Sequence, residues 1–62
     1  IERLYEHVRS FLVATGHPEE KRDKALRLVR RLIGRADPTD REVVTLTGVF
    51  RRGTKRANKS DE

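Results

Sequence analysis

The chain contains no Cys, Met or Trp, and its aromatic rings are Tyr5, Phe11 and Phe50 alone. Without Cys there is no disulfide staple, no thiolate metal ligand and no thiol nucleophile, which fits a reducing compartment. Tyr5 and Phe11 fall within an apolar stripe, so an aromatic platform on which single-stranded bases could stack is not expected. No apolar run approaches the roughly 18 residues of a membrane span, and no signal-peptide pattern opens the chain. His7 and His17 stand ten residues apart with no third ligand nearby, so no metal site is expected. Ser10 and Ser60 have no His–Asp partners, and no Gly-rich phosphate loop of the GxxxxGK type occurs. These absences predict a non-enzyme without a cofactor. Ile1 rather than Met opens the chain, as in a domain taken from a longer one. The expected location is intracellular, in cytoplasm, nucleoid or nucleus.

What the chain has in quantity is positive charge. Fifteen Lys and Arg face ten Asp and Glu over 62 residues, for a net charge of +5. That charge is segregated: residues 1–20 carry −2, residues 21–36 carry +6, residues 37–50 carry −2 and residues 51–62 carry +3. Such segregation argues for association with a polyanion, though it says nothing about fold. Arg outnumbers Lys eleven to four, and a guanidinium binds phosphate in a bidentate manner that an ammonium cannot.

A chain of this length buries only about 60% of its unfolded surface, so it has room for one small domain. Ile1, Leu4, Tyr5, Val8, Phe11 and Leu12 recur at the spacing of one helical face, predicting a first helix over residues 2–15 that stops at Gly16. Pro18 suits a first helical position, and Glu19 and Glu20 suit the positive end of the helix dipole. The second helix then buries Ala25, Leu28, Val29, Leu32, Ile33 and Ala36, with Leu26 at the stripe's edge, and ends at Gly34. Within it, Glu20–Lys24 and Asp23–Arg27 are acid-first i,i+4 pairs. The third helix has its start signal in Asp37-Pro38-Thr39-Asp40, with Asp37 as N-cap, and puts Val43, Leu46, Thr47 and Phe50 on one face. The run VVTLTGVF is β-branched and also fits a strand, but the cap and the 3-4 spacing favour a helix. Gly53 is its expected end. The fold class is therefore all-α: a compact three-helix domain over 1–53, with a flexible, disordered basic tail over 54–62. Its second and third helices have the outline of a helix-turn-helix, although the link RADPTD is longer than that motif's turn.

Two basic clusters carry the functional expectation. Arg30, Arg31 and Arg35 lack intrahelical partners at the end of the second helix, and Arg51, Arg52, Lys55 and Arg56 follow the third core stripe. If the third helix extends, Arg41, Thr45, Gly48, Arg52, Lys55 and Lys59 share one polar side of it. Near a recognition-helix start only Arg41 and Thr45 could read base edges, so phosphate contacts should dominate. The expected function is a small nucleic-acid-binding domain, for duplex DNA, acting in transcription regulation through Arg30, Arg31, Arg35, Arg41, Thr45, Arg51, Arg52, Lys55 and Arg56. The alternative is a helical protein-interaction module docking an acidic partner, with Val13, Leu26 and Val49 exposed at the edges of their stripes. A homodimer is a further partner class, since a marginal domain gains stability from self-association.

Leu28 and Leu32, then a break, then Thr47-Gly48-Val49 leading into a basic segment resemble the N-terminal helical interaction domain of transcription elongation factors such as TFIIS and elongin A. The resemblance covers about half the chain, its spacing is one residue off, and the family's final helix has no counterpart here. It implies a helical docking module in a transcription complex.

Overall fold

The apolar stripe of the first segment folds as expected. In the computed structural model, which describes residues 1–60 and side chains through Lys59, α1 spans Glu2–Ala14. Its end is a Schellman turn. Gly16 takes φ 85°, the His17 N–H donates to the Leu12 carbonyl at 3.1 Å and the Gly16 N–H to the Val13 carbonyl at 3.1 Å. A residue with a Cβ would be strained at that φ, so glycine is required there.

α2 spans Glu19–Ala36. Pro18 sits one position outside it as an extended N-cap whose carbonyl accepts from the Arg22 N–H at 2.9 Å. Gly34 does not end the helix. The left-handed residue is Asp37, at φ 48°, whose N–H donates to the Ile33 carbonyl at 3.2 Å. Asp37 therefore closes α2 and is not the N-cap of the next helix.

α3 spans Asp40–Ser60. Thr39 and Glu42 start it as a capping box: the Thr39 N–H donates to Glu42 Oε1 at 2.8 Å, and the Glu42 N–H donates to Thr39 Oγ1 at 3.2 Å. The β-branched run is helical because Val43, Leu46 and Phe50 pack one helical face on the core, and its threonines are satisfied within the helix. Thr45 and Thr47 donate to the carbonyls of Arg41 and Val43, at 3.0 and 2.8 Å. The helix runs through Gly53 to Ser60, so the tail expected over 54–62 is helical as far as it is described; Asp61 and Glu62 lie outside the described residues. Thr54 and Ala57 are partly covered, and with Asn58 Thr54 lines a shallow groove against Ser10 and Val13 of α1. That contact gives the low-hydropathy segment a surface to fold on.

α1 is the middle element. It packs against α2 on one side and α3 on the other, while α2 and α3 do not approach each other. The principal extents are 37 × 25 × 13 Å, a layer of three helices rather than a round bundle. The buried residues, Leu4, Tyr5, Val8 and Leu12, all belong to α1. Ala25, Leu26, Val29 and Ile33 cover this core from α2, and Val43, Leu46 and Phe50 cover it from α3. Phe11 and Phe50 meet edge to face, with centroids 5.5 Å apart at 72°. Leu28 and Leu32, expected inside, are about half exposed at 48% and 50%, and Leu26 takes the inward place. The reason is geometric. A helix touching one neighbour can bury only part of a wide apolar arc, and α2 turns its Leu26–Ile33 side to α1. With α2 and α3 apart, the helix-turn-helix outline is also absent, because in that motif the two helices brace each other.

Candidate nucleic-acid interface

The continuation of α3 past Gly53 settles where its bases stand. At about 100° per residue, Arg41, Thr45, Gly48, Arg52, Lys55 and Lys59 follow one side of the helix, opposite Val43, Leu46 and Phe50. All are exposed except Gly48, which is partly covered. The line from Arg41 to Lys59 is about 27 Å long at 1.5 Å per residue. Arg52, Lys55 and Lys59 form no ion pair with any described residue, and the acids of α3, Asp40 and Glu42, sit in its first turn. The Glu42 carboxyl is held below the usual glutamate value by the Thr39 backbone N–H, with the Thr39 hydroxyl second. It is committed to the cap and does not neutralise the bases beyond it.

The other basic residues divide. Arg30 is not free: its guanidinium pairs with Glu2 Oε1 at 3.3 Å and lies over the Tyr5 ring, 4.8 Å from the centroid. That contact ties α2 to α1. Arg31 and Arg35 are exposed, as are Lys24 and Arg27 beside the half-exposed Leu28 and Leu32. Neither Glu20–Lys24 nor Asp23–Arg27 forms an ion pair. Arg51 points out of the α3 line toward α1, where it lines a groove with Arg3 and His7. Arg56 is exposed on the side of α3 next to Thr45 and Arg52. Because α2 and α3 flank α1, Arg31 and Arg35 on the one and Arg41, Arg52, Lys55 and Lys59 on the other stand on opposite edges of the layer. They do not merge into one patch. The sequence assigns Arg3 no role and His7 only an excluded metal site, although their i,i+4 spacing beside the apolar stripe places them together on the flank that faces α3.

Among the described residues no three His, Asp or Glu side chains gather as a metal site, and no helix is long and apolar enough to cross a membrane. Among the expected apolar edges Val13 and Val49 are exposed, at 51% and 57%, while Leu26 packs on the core.

The family model of the tRNA methyltransferase TrmJ, C-terminal domain, matches residues 1–62. The chain belongs to that family. No curated protein and no solved structure matches it. Membership in the TrmJ C-terminal family overturns several expectations. A family named for a tRNA methyltransferase is an enzyme family concerned with RNA, so the reading as a non-enzyme DNA-binding regulator falls. Duplex DNA as partner falls with it, as do transcription regulation, the transcription-related docking module and the likeness to elongation factors. The misassignment has a physical source. Phosphate recognition by Arg and Lys is the same chemistry for either nucleic acid, and nothing in spacing or charge separates them.

Proposed function

We propose that this domain holds tRNA for a tRNA methyltransferase, by gripping phosphates along the outer side of α3. One observation carries the reading: Arg41, Thr45, Gly48, Arg52, Lys55 and Lys59 share one side of α3, all exposed but the partly covered Gly48, and Arg52, Lys55 and Lys59 form no ion pair with any described residue, in a chain of the TrmJ C-terminal family. Arg41, Arg52 and Lys55 are its principal contacts. Thr45 donates its hydroxyl to the Arg41 carbonyl and has its acceptor pairs left, and Gly48 lets a backbone pass close. Arg31 and Arg35, on the far edge, add to the long-range field and not to the grip. Double-helical RNA is recognised through shape, phosphate and 2′-hydroxyl contacts, which suits a helix carrying bases and few base-reading side chains. The domain's part in the methyltransferase is substrate holding, and a tRNA substrate puts that work inside the cell.

Titration of the full chain with a tRNA transcript at several salt concentrations tests this. Three or four phosphate contacts predict a log–log salt slope of about −3. No binding at low salt, or binding indifferent to salt, would overturn the reading.

A further inference from the structure

Between the first half of α1 and the middle of α3 lies a groove of about 420 Å³. That volume is within the range of small-molecule sites, about 300–1,000 Å³. Its floor is the partly covered Val43, with Leu4 fully buried beneath it. Val44 stands at the wall with 70% of its surface exposed, a large apolar side chain left in water. The rim carries Arg3, His7 and Arg51, and no acid lines the groove. Of the acids next to lining residues, Glu2 is turned toward Arg30 and Glu42 is held by the Thr39 cap. The Thr47 hydroxyl donates to the Val43 carbonyl at 2.8 Å, so its acceptor pairs face a ligand's donors.

An apolar floor beneath two guanidinium groups and an imidazole matches a nucleotide: base faces are apolar and the phosphate is anionic. Gly48 connects this groove to the proposed grip. It lines the groove and also belongs to the cationic line on α3, so an RNA strand crossing the line at Gly48 reaches the groove mouth. A Cβ built at Gly48 would meet nothing within 4 Å, so the space over it is open and glycine is not required there by packing.

We propose that this groove takes an unpaired nucleotide of the bound RNA, its base against Val43 and Val44 and its phosphate between Arg3 and Arg51. The proposal rests on the tRNA reading above and adds recognition of an unstacked base, the usual route to selectivity in RNA. The groove would let the domain separate tRNA, which has single-stranded loops, from a plain RNA duplex.

The test is NMR of the full chain with two probes, a tRNA transcript and a blunt RNA duplex. Expected are shifts of the Val43 and Val44 methyls with tRNA alone, and shifts of the Arg52 and Lys55 amides with both. Val44→Ser, which takes the exposed apolar wall from the groove without changing charge, should weaken tRNA binding about tenfold, the size of one lost base contact. It should leave duplex binding within about twofold. Arg3→Gln, at an exposed position on α1, repeats the test from the opposite side of the groove and should weaken tRNA binding in the same direction. Unmoved Val43 and Val44 methyls beside moving Arg52 and Lys55 amides overturn the groove and keep the grip. Equal methyl shifts with duplex RNA, or undiminished tRNA binding by both variants, also overturn the groove. If tRNA moves neither set, the tRNA reading itself falls.

Discussion

Gly48 and Gly53 lie five residues apart in α3, yet the helix treats them oppositely. At Gly48 an added methyl meets open space. At Gly53 the same methyl would come within 2.8 Å of Phe11 Cε1 and 2.9 Å of Phe11 Cδ1, and that ring is wedged edge-on against Phe50. Glycine within a helix costs about 1 kcal/mol relative to alanine through backbone entropy. Gly48→Ala should therefore raise stability by about 1 kcal/mol, a gain of about 4–8 °C in melting temperature for a domain of this size. Gly53→Ala gains the same backbone term but must push the Phe11 ring out of its packing, an overpacking penalty of about 1–3 kcal/mol. The expected sum is no gain or a net loss. Thermal unfolding of the two variants checks this, and equal stabilisation by both would show that Phe11 does not press on α3. The sequence marks Gly53 as a stop. Its role as a site of close approach between helices depends on Phe11, forty-two residues earlier, and no local pattern reports it.

The three helices differ in how much of each was legible. α1 was read almost to the residue, because it touches neighbours on two sides and nearly its whole apolar arc is covered. The periodicity of α2 predicts the helix but not its inward side, because one neighbour covers one flank of the arc and periodicity does not choose the flank. Asp37-Pro38 predicts the start of α3 two residues early, and the Thr39-x-x-Glu42 box is the signal that sets it. That box makes a pH prediction. The Thr39 N–H stabilises the ionised Glu42 carboxylate, so the folded pKa lies below the usual 4.5. A depressed folded pKa means that the cap's contribution is present above the unfolded value and is lost as pH falls through the folded one. An NMR titration should place the Glu42 carboxyl below 4.5, with the α3 N-terminus fraying as it protonates. Glu42→Gln should keep the reach to the Thr39 N–H and remove the pH dependence. A Glu42 titration at or above 4.5 would mean that the box is open in solution.

Taken whole, the molecule is a layer with a cationic edge on either side of α1, and that arrangement separates two accounts of RNA binding. A chain of net charge +5 could attract tRNA by its overall field alone. The line along α3 was legible once helical spacing was applied, but its separation from Arg31 and Arg35 was not, since it depends on which helix lies in the middle. The layer is 25 Å in its second dimension. The Debye length at physiological salt is about 8 Å, so the edges are electrically independent for an RNA held against one of them. Arg52→Gln with Lys55→Gln and Arg31→Gln with Arg35→Gln remove the same charge from opposite edges. If overall field dominates, the two pairs lose affinity equally. If α3 holds the backbone, the first pair should lower tRNA affinity about tenfold and make the salt slope shallower by about two, one for each phosphate contact removed. The second pair should change affinity by less than about threefold and leave the slope as it was. Anisotropy titrations at three salt concentrations read both quantities, and the slope is the more telling. An equal loss of slope in both pairs would mean that tRNA wraps the layer and touches both edges, and α3 would not be the sole grip.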